Sequence, residues 1–258
     1  MSLGVSEAAG ALLASVDAVA AREPLTKTWP ELDVATAYAI QDESLRKRRV
    51  RGETLIGLKL GLTSRAKQQR MGIDSPLLAW LTDAMVLPAG VPVPLGGLIH
   101  PRAEPEIVFV MGQRLSGPGV TAATALAAVD RVHAGVEIID SRFEDYKFKL
   151  PDAVADNGSS ALFGIGPVGV RPEKLDLSLE ACLLEVDGHV VDTATGAAVQ
   201  GHPAEALALA ANALAARGLA IEPGWIILTG GMTDAVPLTP GSRVAAHFSN
   251  LGSVTLSA

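Results

Sequence analysis

From about residue 54 onward the chain is cut into apolar runs of strand length with Gly or Pro between them, and this pattern restricts the fold more than any other feature. The runs cover 54–60, 106–111, 132–139, 179–186, 225–228, 243–248 and 253–256. Helices interrupt them irregularly. One is capped by Thr63 or Ser64 and runs to about residue 70, a second is capped by Thr121 and ends near 129, and a third covers 203–217, between Pro203 and Gly218. Regular strand–helix alternation would predict a doubly wound parallel sheet. Irregular insertion predicts an α+β domain on a curled mixed β-sheet.

The first fifty residues have a different character. Residues 5–22 are alanine-rich and free of Pro, 32–50 carry Val34, Ala37, Ile40 and Leu45 near helical spacing, and Pro24 and Pro30 bracket the connection. The chain therefore divides into an N-terminal helical region, 1–52, and a mixed-sheet catalytic domain, 53–258. Its 258 residues suffice for a real core. Hydrophobic residues reach 48% but aromatics only 4%, so that core must be mainly aliphatic.

Several function classes drop out. No run approaches the ~18 to 20 continuous apolar residues of a membrane helix, and the most apolar helical stretch is interrupted by Glu205 and Asn212. The N-terminus lacks a basic leader and carries Glu7 and Asp17, so it does not read as a secretion signal, and a cytoplasmic location is the expectation. Cys182 is alone, which removes an intrachain disulfide and a cysteine metal cluster, and it reads as a buried thiol. A net charge of −7 with few aromatics argues against nucleic acid, and the basic cluster Arg46-Lys47-Arg48-Arg49 reads as a solvated helix face. Gly96-Gly97 and Gly230-Gly231 lack a dinucleotide-binding context, and no GxSxG is present. The five histidines lack ligand spacing and read as structural, His202 as a helix cap.

Three carboxylates stand out. Glu104 and Glu106 are two apart, so on a strand both point to one face, and Glu137 interrupts an apolar run. A carboxylate inside such a strand is costly unless paired or metal-bound. Three carboxylates from two strands suit a hard octahedral cation, Mg²⁺ or Mn²⁺. The competing reading is an edge strand whose acids face solvent. Pro105, which cannot donate to a ladder, supports that alternative.

The strings GLKLGLTS at 57–64, LIHPRAEPEI at 98–107, VEIIDSR at 136–142, VADNGSS at 154–160, AVQGHPAEAL at 198–207, ILTGGMTDAV at 227–236 and LGSV at 251–254 follow one another in family order. In them the chain resembles the 2-hydroxypentadienoate hydratase and 4-oxalocrotonate decarboxylase family, which shares the fumarylacetoacetate hydrolase-type β-roll. The resemblance implies that Glu104, Glu106 and Glu137 bind the metal and that Lys59 is the active-site lysine. It further implies catalytic roles for Asp83 and Asp156, and substrate contacts from Asn157, Ser160, Thr229 and Gly230, to which charge and packing add Leu60 and Lys147. Two departures are Gly158, where relatives often carry Ala, and Pro105, which stiffens the metal-binding strand.

Within the family, the strings at 98–101, 139–142 and 146–150, the LSGPG string at 115–119 and Gly230-Gly231 lean toward the decarboxylase. Hydratases tend to place a tryptophan near the position of Lys147. The implied reaction converts 2-oxohex-3-enedioate to 2-hydroxypenta-2,4-dienoate and CO₂ in aromatic meta-cleavage catabolism. The alternatives are a hydratase acting on that dienoate, with Asp83 and Asp156 as its acid–base pair, and a non-catalytic partner subunit. A homo-oligomer, or a complex with the cognate hydratase, is implied as well.

Charge adds a requirement. Three carboxylates and one divalent cation leave −1, and the substrate brings −2, so further cations are needed. Lys59 with Lys147 or Lys149 are the candidates, while strand alternation turns Arg142 away from Glu137. Leu60, Leu62 and Phe148 are the expected apolar wall around the departing carboxylate.

Overall fold

The strand-length runs of the sequence become strands close to where they are expected, and the computed structural model describes residues 4–64, 68 and 76–258. The strands are β1 Leu55–Gly61, β2 Leu77–Thr82, β3 Arg102–Met111, β4 Val129–Ile139, β5 Ser160–Ile165, β6 Ala181–Val186, β7 His189–Thr195, β8 Ile226–Gly231, β9 Val236–Pro237, β10 Arg243–Phe248 and β11 Gly252–Ser257. The described helices are α1 Val5–Ala18, α2 Leu25–Thr28, α3 Val34–Val50, α4 Ala122–Ala127, α5 Leu150–Ala155 and α6 Pro203–Ala215. The helix expected from Thr63 or Ser64 to Arg70 lies largely outside the described residues.

Local chemistry sets the helix ends. Asp33 accepts the Thr36 N–H at 2.7 Å to start α3, whose last turn carries Lys47, Arg48 and Arg49 against the negative end of the helix dipole. Thr121 caps α4. His202 Nδ1 accepts the Ala204 N–H at 3.0 Å and Pro203 fills the first position of α6, as expected of the GHP string. No helix among the described residues is long and apolar enough to cross a membrane.

The larger sheet runs β2-β1-β8-β3-β4-β5, with β9 beside β3, and the smaller runs β11-β10-β6-β7. β1 is parallel to β8 while its other pairing, with β2, is antiparallel, so the larger sheet is mixed. One face packs into the main core: Leu58 and Leu60 of β1, Ile107 and Phe109 of β3, and Val136 and Ile138 of β4 meet Leu184, Ala246 and Val254 of the smaller sheet and Leu207 and Leu214 of α6. The N-terminal helices pack elsewhere. Ala8, Leu12, Ala37 and Ile40 form a second cluster with Leu77 and Ala79 of β2, Phe143, and Ala153–Ala155 of α5.

Alternation then leaves Lys59, Glu104, Glu106 and Glu137 on the face turned away from the main core. β1 and β4 are separated by β8 and β3, which in a flat sheet is about 14 Å at three spacings of roughly 4.8 Å. Lys59 Nζ nevertheless reaches Glu137 Oε2 at 3.1 Å. Only a sheet curled around this face brings the two together.

The edge-strand reading of Pro105 is corrected. β3 is central, flanked by β8 and β4. The Pro105 carbonyl accepts the Met232 N–H on the β8 side, so its nitrogen faces that side too, where the β3–β8 register shifts between Glu106 and Val108. The missing donor falls where the ladder is already irregular.

Candidate active site

A cavity of about 470 Å³ opens on the curled face, and its walls come from distant parts of the chain. β1 supplies Lys59, β3 supplies Arg102 and Glu104, and the segment after β4 supplies Tyr146 and Phe148. Leu62, Leu77 and Ile139 form an apolar side, and Gly158, Ser159, Gly231 and Asp234 complete the rim.

Glu104 of this lining is one of the three carboxylates predicted to bind metal, and Glu106 and Glu137 are buried beside it. Glu104 and Glu137 are directly opposite in the β3–β4 register, and Glu106 faces Gly135, whose missing side chain leaves room beside Val108. One oxygen from each of Glu104, Glu106 and Glu137 lies within 4.8 Å of the others, and all three residues are buried. Burial, together with the charges of Glu137 and Glu104, pushes the Glu106 carboxyl well above the usual carboxylate range. Burial alone would lower the Lys59 ammonium, but Glu137, Glu104 and Glu106 outweigh it and leave its pKa raised. Lys59 is therefore a fixed cation, donating to Glu137 and, at 2.7 Å, to the Gly158 carbonyl.

Neighbouring groups aim the acids. Ser160 Oγ donates to Glu137 Oε1 at 2.7 Å, and the Gly230 N–H donates to Glu106 Oε2 at 2.6 Å. Gly230 has φ +117°, and a Cβ there would fall 2.0 Å from Thr63 Oγ1. A Cβ on Gly231 would lie 2.2 Å from Glu104 Oε2, so only glycine lets that carboxylate stand where it does. The other Glu106 oxygen, Oε1, is buried with no hydrogen-bond partner among the described residues. Three hard oxygen donors, one buried and unsatisfied, fit a divalent cation of the Mg²⁺ type. Among the described residues, the three carboxylates and Lys59 sum to −2, a charge that such a cation would offset.

Other expected site residues stand elsewhere. Asp83 is exposed beyond the end of β2 far from Lys59, where it accepts the Thr54 and Ala84 N–H groups and caps a turn. Asp156 is buried beneath the site and ion-paired to Arg142, whose guanidinium also donates to the Asp140, Ser160 and Asp156 carbonyls. Asn157 brackets Trp80, accepting its N–H and donating to its carbonyl, and Thr229 Oγ1 donates to the Ile107 carbonyl. Leu60 points into the main core because it alternates with Lys59, so the apolar wall comes from Leu62 and Phe148 without it. Lys147 is exposed and paired with Asp145, and Lys149 is exposed too, so neither supplies charge to the cavity. Arg142 lies past the end of β4 and is committed to Asp156, so strand alternation does not set its direction.

Arg102 supplies the cation instead. Sequence reasoning passed over it because it sits in the polar string HPRAE. Its position two residues before Glu104, on the same strand face, was the available signal. Tyr146, under its guanidinium, had no signal at all: Asp145 and Tyr146 both adopt positive φ, 54° and 56°, which turns the ring inward.

Comparison with known proteins places the fold in a family. Residues 56–257 match the model of the fumarylacetoacetate (FAA) hydrolase C-terminal family. A 4-oxalocrotonate decarboxylase from Pseudomonas sp. (strain CF600) is 43% identical over 231 residues, covering 90% of this chain and 88% of that one. A 2-hydroxyhexa-2,4-dienoate hydratase from Comamonas testosteroni is 41% identical over 235 residues, covering 90% and 89%. The solved structure of 4-oxalocrotonate decarboxylase from Pseudomonas putida G7, complexed with magnesium and adipate, superposes with a TM-score of 0.96 at 40% identity, covering 98% of this chain and 96% of that one. The curled mixed sheet and the family match agree: the chain belongs to the fumarylacetoacetate hydrolase family.

Proposed function

We propose that this chain is a Mg²⁺-dependent lyase, with Mn²⁺ as a substitute, that decarboxylates 2-oxohex-3-enedioate to 2-hydroxypenta-2,4-dienoate. The observation that carries the reading is the buried trio Glu104, Glu106 and Glu137 facing two cations, Lys59 and Arg102, across a partly apolar cavity. The two decarboxylase relatives, one of them solved with magnesium and a six-carbon diacid, support it.

In the reaction the bond from C5 to the distal carboxylate breaks and CO₂ leaves. The electron pair moves through the C3–C4 unit to the C2 oxygen, and one proton completes the dienol. A divalent cation held by the three glutamates would supply Lewis-acid stabilisation of the charge growing at C2. Lys59, kept protonated by its three acidic neighbours, is placed to deliver or hold that proton. Leu62, Leu77 and Phe148 keep water from one side of the cavity, where a departing carboxylate gains from a less polar surrounding. Ser160 and Gly230 hold two of the acids in place.

The hydratase is the second reading, favoured by the hydratase relatives and by Asp234 on the cavity rim. Asp83 and Asp156 do not meet in the cavity, so water addition would need a different acid–base group. A non-catalytic subunit has no use for a buried acid trio. Cytoplasmic action, as a homo-oligomer or with the cognate hydratase, completes the proposal and is supported by the family resemblance.

The test is proton NMR of the purified protein with Mg²⁺ and 2-oxohex-3-enedioate. Appearance of the dienol that stops on chelation supports the decarboxylase. An unchanged diacid sinks it, and the hydratase is then tried on the dienol.

A further inference from the structure

We propose that Arg102 reads the second carboxylate of a dicarboxylate substrate and so sets the preference for diacids over monoacids. The assignment rests on the 2-oxo acid reading above. Arg102, Glu104 and Glu106 occupy alternate positions of β3 and share one face. Two strand residues advance about 7 Å, so the Arg102 backbone stands one step from Glu104, and both side chains line the same cavity. The carboxyl carbons of an extended six-carbon diacid are separated by roughly 6 Å, from bonds of about 1.5 Å. A substrate whose 2-oxo acid end lies at the trio therefore ends at Arg102.

The seat is built. The Arg102 guanidinium lies 4.3 Å from the centre of the Tyr146 ring. That ring is pinned by its hydroxyl, which donates to the His100 carbonyl at 3.2 Å and the Ile139 carbonyl at 3.0 Å. Stacking covers one face of the guanidinium and leaves its N–H edges free for a planar carboxylate. Arg102 is half-buried and makes no hydrogen bond or ion pair with a described residue. Among the described residues, neighbouring cations are already engaged: Lys59 with Glu137, Arg142 with Asp156, and Lys147 with Asp145.

The chemistry fixes how this role is read out. The distal carboxylate loses its charge as it leaves, so a group bound to it stabilises the ground state and not the transition state. Arg102 therefore acts on substrate affinity and leaves the chemical step unassisted.

The experiment compares 2-oxohexanedioate with 2-oxohexanoate, equal in length but lacking the second carboxylate, by calorimetry on the Mg²⁺-loaded full chain. The wild type should bind the diacid about tenfold or more tightly. Arg102→Met should abolish that preference by weakening the diacid alone, and Arg102→Lys should keep part of it. Mg²⁺ affinity equal to that of the wild type verifies that each variant is folded. A preference that survives in Arg102→Met, or that is missing from the wild type, overturns the assignment. Failure of the decarboxylase reading shows separately, as wild-type protein that releases no CO₂ from 2-oxohex-3-enedioate while its diacid preference still depends on Arg102.

Discussion

Lys59 of β1 and Glu137 of β4 meet at 3.1 Å across a sheet in which two other strands separate them. The same ammonium reaches the Gly158 carbonyl at 2.7 Å, along a path where a Cβ on Gly158 would lie 2.8 Å from Lys59 Cε. The lysine thus touches an acid of the proposed metal site while its own position is fixed from two sides. Lys59→Ala should lower kcat by about 100-fold or more, in the range of a lost general acid. Mg²⁺ affinity should change far less, because the lysine is not a ligand. Equal loss of both, in parallel titration and turnover measurements, counts against a role in proton transfer.

Gly231 tests the acids without touching them chemically. Its Cβ would stand 2.2 Å from Glu104 Oε2, so Gly231→Ala must displace that carboxylate. Groups that orient metal ligands typically carry about 10- to 100-fold in affinity. Mg²⁺ binding to Gly231→Ala should weaken within that range, with circular dichroism unchanged. Wild-type affinity would mean that Glu104 does not hold the cation from its present position.

How far the molecule was legible in its sequence follows from what each residue does physically. Glu137 was visible because a charge inside an apolar strand demands a partner, and Lys59 because it sits in the GLKLGLTS string that carries the family resemblance. Glu104 and Glu106 were visible because strand alternation puts them on one face. Arg102 has that same alternation but sits in polar sequence, so nothing marked it. Lys147 and Asp83 show the reverse: a motif places them near the site in sequence, while a turn with positive φ and the far end of β2 carry them away from it. The helices and the β10–β11 pair were readable from caps and periodicity. β2 is buried along its whole length and β7 is almost wholly exposed, so neither shows a two-residue alternation. The curl was not derivable from local pattern, since it is a property of strand order across the sheet.

Arg142 and Asp156 are set apart from the acids by their burial and their mutual bonding. Their side chains are 6% and 0% exposed, and the guanidinium also satisfies the Asp140 and Ser160 carbonyls. Removing one partner of such a pair leaves a buried charge unsatisfied, at a cost of about 3–5 kcal/mol. Arg142→Met should lower the free energy of unfolding by that amount in urea, while the folded fraction keeps its Mg²⁺ affinity. A stable variant with weakened Mg²⁺ binding would instead place Arg142 in the function of the site.

Asp83 yields the opposite expectation. It is exposed and holds a turn through the Thr54 and Ala84 N–H groups, beyond the end of β2 that is distant from Lys59. Asp83→Asn should leave kcat and KM within about twofold of the wild type, as for surface substitutions away from special features. A fall of a hundredfold in turnover with the diacid would return Asp83 to a catalytic role and require the loop to move.

Glu106 makes stability depend on pH in a direction opposite to that of most carboxylates. Burial, then the charges of Glu137 and Glu104, raise its folded-state pKa well above the unfolded value. Between those two pKa values the folded metal-free chain binds more protons than the unfolded chain, so its stability falls as pH rises through the window. Above the folded pKa the penalty is complete, and below the unfolded pKa it is gone. A cation seated on the trio would favour the ionised form and remove the effect. Chelator-treated protein should therefore gain thermal stability as pH is lowered through the folded-state pKa of Glu106 toward the ordinary carboxylate range, and protein saturated with Mg²⁺ should not. Tm measured at each pH with and without Mg²⁺ checks both halves. A chelated protein whose Tm is flat or falls on acidification would show that Glu106 is ionised without a metal.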